Sequence, residues 1–216
     1  MRANASNLFT GFVIPVGNGA VGKSSIGRVL DGLSPGNHGY QRLINSVRKT
    51  NNLEFEFIPE SLTYRDRIYR VMIQMLIPPG QKRSEGDRTS RSFEDVIDIY
   101  RFHIRRVDVV LFTYNLTSQE SFFDIGQWLH SVSGLCREFT HFVLLGTHLD
   151  LVDQREVGDE QIDAGVTFLK SQLKGLIPNW RGKCYRHEVS NLTGDRMREL
   201  KQYLAWSILH ARYIAP

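Results

Sequence analysis

From Gly17 to Ser24 the chain reads Gly-Asn-Gly-Ala-Val-Gly-Lys-Ser, an intact GxxxxGK[ST] spacing. Residues of these types in this order can do one kind of chemistry. Glycines let the backbone wrap a polyphosphate with the amides of Asn18, Gly19, Ala20, Val21 and Gly22 turned inward, and a helix N-terminus beyond them adds partial positive charge. Lys23 brings a full charge to the outer phosphates, the Ser24 hydroxyl is placed to coordinate Mg2+, and Ser25 follows in the first helical turn.

That chemistry needs a strand before the loop and a helix after it. Leu8 to Val16 reads as the strand and Gly22 to Leu33 as the helix. Farther on, Leu53 to Ile58 alternates as a half-buried strand, and Ile68 to Ile77 reads as its antiparallel partner after a polar turn. Val107 to Tyr114 and Phe142 to Leu145 are apolar runs of the type buried on both faces of a parallel sheet. Helices are expected at Phe93 to Arg106, Ser121 to Val132, Asp159 to Leu173 and Arg196 to Ala211, the last with Leu200, Leu204, Ile208 and Ala211 along one core-facing stripe. The alternation of strands and helices is that of an α/β fold with helices on both faces. Ser34 to Gly39, Gln81 to Arg91 and Gly175 to Lys183 read as surface loops. Pro15 lacks the amide that an interior strand would use, so an irregularity is expected there.

The 216 residues suit one domain, without a convincing internal boundary. With 41% hydrophobic and 23% charged residues, the composition excludes disordered and fibrous classes. A net charge of +4 permits but does not require a nucleic-acid partner, and none is expected. Cys136 and Cys184 lack CxxC spacing and the histidines form no ligand-spaced set, so neither a disulfide framework nor a zinc site is indicated. Without a stretch long enough to span a bilayer or a leader-like N-terminus, the expected location is the cytosol, with no transmembrane segment.

Two further stretches carry a family resemblance. Thr113-Tyr-Asn-Leu-Thr-Ser-Gln-Glu-Ser-Phe-Phe-Asp-Ile-Gly-Gln-Trp-Leu129 resembles the fourth strand and following helix of the Ras-like small GTPases, and Gly146-Thr-His-Leu-Asp150 resembles their base-reading NKxD motif in its TKxD form. The resemblance implies a P-loop domain with a mostly parallel six-stranded sheet, with insertions near 82–106 and 153–183. It implies GTP and GDP as ligands, with Mg2+. Asp150 is then the guanine selector, since a carboxylate can accept from the N1–H and the 2-amino group that adenine lacks. Thr147 stands for the usual Asn, and His148 for a Lys whose stem covers the base. Glu188-Val-Ser-Asn-Leu-Thr-Gly194 is similar to the ExSAKxG segment, with Ser190, Asn191 and Leu192 backing the base.

Ile77-Pro-Pro-Gly-Gln81 stands where that family has DxxGQ. Gly80 would sense the γ-phosphate and Gln81 orient the attacking water, but Ile77 cannot do the work of the Asp. Leu53-Glu-Phe-Glu-Phe-Ile-Pro-Glu-Ser-Leu62 followed by Pro-Gly-Gln resembles the prokaryotic MglA-like branch, which also lacks the Asp. That likeness implies Thr50 as the switch threonine on Mg2+, with Thr63 as the alternative. It also implies a nearby cation, Arg48 or Lys49, as an intrinsic arginine finger, and a GTPase-activating partner of the Roadblock type.

The segment between Gln81 and Asp108, seven cations against five acidic residues, is where a regulator or effector would dock. The expected activity is slow hydrolysis of GTP to GDP. The alternative is a nucleotide-binding scaffold or switch that does not turn over, because Ile77 removes one support for the metal. A P-loop kinase or ATPase is disfavoured, since Asp150 and the Ser190 loop have no role with ATP.

Overall fold

The computed structural model describes residues 8–32, 40, 53–80, 92–100, 104 and 106–214. Six strands form one sheet in the order β2-β3-β1-β4-β5-β6. They are β1 (Leu8–Val16), β2 (Glu54–Tyr64), β3 (Arg67–Ile77), β4 (Val109–Asn115), β5 (His141–Thr147) and β6 (Cys184–Glu188). β3, β1, β4, β5 and β6 run parallel, and β2 is antiparallel to β3. Among the described residues the α-helices include α1 (Lys23–Leu30), α2 (Phe93–Tyr100), α3 (Gln119–Phe123), α4 (Ile125–Ser133), α5 (Asp159–Leu176) and α6 (Met197–Leu209).

The hairpin between β2 and β3 turns on Arg65 and Asp66, both left-handed at φ 48° and 58°, the geometry of a two-residue type I′ turn. Both strands run beyond their sequence boundaries, because Glu54 to Tyr64 pairs residue for residue with Ile77 to Arg67. Pro15 leaves β1 unbroken. Phe12 turns its amide and its carbonyl toward Asp108 on the β4 side, so Pro15, three residues on, turns its nitrogen to the β3 side. There the ladder has already ended at Val13 opposite Met75. The expected irregularity is this early end of pairing.

Several boundaries differ from expectation. α1 stops at Leu30, and Gly32 follows in the left-handed region at φ 113°. The helix expected over Ser121 to Val132 is two helices that meet at Asp124. Of the helix expected over Phe93 to Arg106, α2 accounts for Phe93–Tyr100, and 101–103 and 105 lie outside the described residues, as do the loops 34–39 and 81–91. The stretch Gly175 to Lys183 is not simply a surface loop. α5 continues to Leu176, Ile177 is buried, and the Trp180 indole donates to the Thr140 carbonyl at 2.8 Å while its ring packs on the core. Arg196 to Ala211 holds as the core-facing helix, with Leu200, Leu204, Ile208 and Ala211 fully buried, though the α-helix ends at Leu209 and a π-turn covers His210–Ile214.

Helices cover both faces. One core gathers Ile14, Leu76, Phe112, Phe142 and Leu144 under α2 to α5, and the other gathers Val13, Ile73, Leu111 and Leu145 under α1 and α6. At the N-terminal edge of the parallel strands, the fully buried Asp108 accepts from Phe12 N at 2.8 Å and from Arg212 at 2.7 and 2.8 Å, with Arg106 at 3.2 Å. This carboxylate ties the C-terminal turn to β1 and β4. Beside it the buried His141 meets His210 at 3.1 Å between ring nitrogens, and His210 stacks on Trp206.

Removing a partner from such a buried charge cluster leaves guanidinium groups uncompensated. Asp108→Ala is expected to lower unfolding free energy by about 3–5 kcal/mol in urea titrations. Burial, with His210 and Lys183 adding repulsion, holds His141 down to about 3, below its ordinary 6.5. The unfolded chain therefore binds a proton here that the folded chain refuses. Stability from this group is full above pH 6.5 and is lost as pH falls toward 3. His141→Phe should flatten that acid limb in melts taken across the interval.

Candidate functional site

The C-terminal ends of the parallel strands converge on one edge of the sheet, where ligands of open α/β sheets bind. The phosphate loop Gly17 to Ser24 leaves β1 there, Gly80 follows β3, Thr147 to Asp150 leave β5, and Ser190 to Leu192 follow β6.

The loop is shaped by close backbone approaches. Gly17 is at φ 146°, and a Cβ on it would lie 2.1 Å from the Thr113 carbonyl of β4. Gly22 is at φ 91°, and a Cβ on it would lie 2.4 Å from Asn191 Nδ2. Both positions need glycine for space as well as for conformation. At Gly19, by contrast, an added Cβ would meet, among the described residues, only the Gly80 carbonyl, at 3.8 Å. Ala20, at φ 63°, carries the turn between them.

α1 opens directly at Lys23 with no side-chain cap, so its first amides remain available to an anion. Val21, Ser24 and Ser25 are buried. Lys23 is 6% exposed and donates to the Gly17 and Asn18 carbonyls at 2.7 Å each. Burial lowers its ammonium from 10.5 to about 7. A lysine held by two neutral carbonyls in a dry loop gains strongly from an incoming anion.

The second half of the site sits across the loop. Asp150 accepts from the Ser190 hydroxyl, which itself accepts from the amides of Leu192 at 3.1 Å and Thr193 at 3.0 Å. One carboxylate oxygen is thereby fixed by a neighbour that is itself fixed. Leu192 contributes its amide, while its side chain is exposed. Thr147 Oγ1 lies 2.9 Å from the carbonyls of Val21 and Tyr114, and 2.9 Å from His148 Nδ1. The hydroxyl has one proton to share among these contacts, and Nδ1 donates or accepts according to the ring's tautomer. Burial lowers the His148 pKa, against the raising effect of Asp150. Asn191 Nδ2 donates to the Gly22 carbonyl at 3.2 Å. Thr147 and Asn191 thus tie the loops after β5 and β6 to the loop after β1.

Ile77 is fully buried, and a Cβ on Gly27 of α1 would meet its Cδ1 at 2.9 Å. Its side chain packs under α1 and offers nothing to a metal. Gly80 reaches the loop: a Cβ on it would fall 2.3 Å from Lys23 Nζ. Thr63 is not at the site. It pairs with Ile68 next to the hairpin turn, at the opposite edge of the sheet, because β2 runs away from the loop. Gln81, Arg48, Lys49 and Thr50 lie outside the described residues.

Sequence reasoning missed three side chains here. The buried Tyr40 donates its hydroxyl to the Asn191 carbonyl. Asp124 and Trp128 both bond the Asn18 side chain. The signal for the last two was their place in the Thr113 to Leu129 stretch, four residues apart and so on one helical face.

Among the described residues no three His, Cys, Asp or Glu side chains gather as a metal site, and no helix is long and apolar enough to cross a membrane. Residues 92–171 match the Ras family. The chain is 24% identical over 152 residues to the Ras-related protein Rab-30 of Homo sapiens, and equally to those of Bos taurus and Mus musculus. That alignment covers 70% of this chain, which spans 63% of the length of those relatives. The Ras match runs from α2 through β4 and β5 into α5, on a six-stranded, mostly parallel sheet whose strand order is typical of a Ras-like P-loop domain.

Proposed function

We propose that the protein is a guanine-nucleotide switch that binds GTP and GDP with Mg2+ and slowly hydrolyses GTP. The observation that carries this reading is the pairing, across one loop, of the buried Lys23 with an Asp150 carboxylate oriented by Ser190. A carboxylate so held accepts from the N1–H and 2-amino group of guanine, whereas adenine would leave it unpaired. Lys23 and the loop amides stabilise charge on the phosphates while water attacks the γ-phosphorus in line and GDP departs. Gln81 orients that water, and Arg48 is the candidate cation for the charge that develops.

Mg2+ fits the site as an ion carried in by phosphates. The described donors reduce to the Ser24 hydroxyl, with Thr50 proposed beside it, and Mg2+ characteristically keeps several waters and binds through substrate phosphates. The bound ion would neutralise phosphate charge, while Ser24 would fix its place at the start of α1. The Pro-Gly-Gln at Pro79 to Gln81 after a strand ending in Ile77 supports placement in the MglA-like branch, with a Roadblock-type activator or an effector as the partner.

A second reading, a switch that holds nucleotide without turnover, is favoured by Ile77. Its side chain fills core volume under α1, so the metal-supporting carboxylate of the wider family has no counterpart at this position. For the same reason Ile77→Asp is a poor discriminator, since it would bury a charge in an apolar layer.

Single-turnover time courses with labelled GTP or ATP and Mg2+ separate the readings. GTP retained and slowly converted to GDP, with ATP ignored and Lys23→Ala inert, is the expected result. GTP retained unchanged points to the non-hydrolysing switch, and retention of neither overturns both. Lys23 supplies a second test. Its ammonium sits near pH 7 in the free protein, and phosphates favour the charged form, so binding takes up a proton above that pH. Affinity should then fall with rising pH by up to about tenfold per unit. Calorimetry at pH 8 in buffers of different ionisation heat should register close to one proton taken up, and none in Lys23→Arg.

A further inference from the structure

The second residue of the phosphate loop holds a different partner with each end of its side-chain amide. Trp128 Nε1 donates to Asn18 Oδ1 at 3.0 Å, and Asn18 Nδ2 donates to Asp124 Oδ2 at 2.8 Å. An indole N–H only donates and a carboxylate only accepts, so the chemistry of the partners fixes which way the amide points. The backbone carbonyl of the same residue takes one of the two bonds that hold Lys23. The chain leaving β3 closes on the same spot, since a Cβ on Gly80 would fall 2.6 Å from the Asn18 carbonyl oxygen.

Both partners sit on rigid ground. Asp124 is the junction of α3 and α4, and Trp128, one turn further, is 2% exposed. Phe93, the first residue of α2 and itself buried, stands edge-on to the indole at 5.6 Å and 84°. Contacts therefore run without a gap from α2 through Trp128 and Asn18 to the carbonyl that holds Lys23.

We infer that Asn18, clamped by Asp124 and Trp128, is a positioning residue that fixes the first half of the phosphate loop and thereby sets how long a bound nucleotide is held. The inference rests on the guanine-nucleotide reading for its consequence, but not for the clamp itself. The carbonyl of residue 18 competes with phosphate for the Lys23 ammonium, and its place depends on whether the side chain behind it is anchored. Packing of Phe93 on the same indole gives α2 a route to the loop.

Two readouts on the full-length protein test this. Amide hydrogen exchange over Gly19 to Gly22, without added nucleotide, reports the clamp, and release of fluorescent GDP from the loaded protein reports its consequence. Trp128→Phe keeps a ring in place and deletes one N–H, so both rates should rise about 3- to 10-fold, the effect of one net hydrogen bond. Asn18→Asp sets a carboxylate against Asp124 and should raise both at least as much. The paired change Asn18→Asp with Asp124→Asn exchanges donor and acceptor and should return both rates to within about twofold of wild type, a non-additivity that two independent packing defects would not give. Wild-type rates in Trp128→Phe, or a paired variant as fast as the product of its singles, would overturn the inference. If the wild-type protein holds no nucleotide, the guanine reading falls, and the exchange arm still decides for or against the clamp.

Discussion

A single ammonium, nearly removed from water and held only by neutral carbonyls, is the constraint around which the upper edge of this sheet is organised. Lys23 cannot be solvated where it sits, and no carboxylate is bonded to it among the described residues. The loop keeps the charge poised because its own backbone is pinned on three sides. β4 packs closely against it at Thr113, the loops after β5 and β6 hold it through Thr147 and Asn191, and α4 holds it through Asp124 and Trp128. A dry site with fixed donors stabilises added negative charge without further reorganisation, and electrostatic preorganisation of this kind depends on such anchoring.

The two edges of the sheet divide the electrostatic work. The N-terminal edge carries its charge in closed form, with Asp108 saturated by two guanidinium groups and an amide, and His141 kept neutral against His210. The C-terminal edge carries its charge open, with an uncapped helix start, an under-neutralised lysine and a carboxylate presented by Ser190. Closed clusters contribute to folding, and open ones await a ligand. The parallel arrangement makes this division natural, since every crossover returns the chain through the same two edges.

What the sequence disclosed follows from the same physics. The phosphate loop was legible because its requirements are local: a strand, a turn with free amides, a lysine and a helix start within a few residues. Asp150 and Ser190 were legible only through resemblance, since their meeting depends on β5 and β6 lying side by side. β6 itself was not placed by pattern, because Cys-Tyr-Arg-His-Glu offers one buried apolar residue and an edge strand needs no more. Trp180 and Ile177 read as loop because a plug that caps the end of a core has no periodicity. The split at Asp124 was hidden for a different reason: the helical pattern runs through it on both sides, and only the tie to Asn18 shows why an aspartate stands at the join.

The three glycines of the phosphate loop are written with one letter and answer to two different demands. Those at 17 and 22 are required by neighbours already present in the folded chain, whereas among the described residues only the Gly80 carbonyl, at ordinary contact distance, stands beside Gly19. A survey of tolerated variants scored by expression or solubility would therefore reject side chains at the first two positions and pass them at the third. An assay with ligand present would register a cost at Gly19 that abundance does not, so abundance-based variant maps of this loop would misjudge a position that its described neighbours leave open.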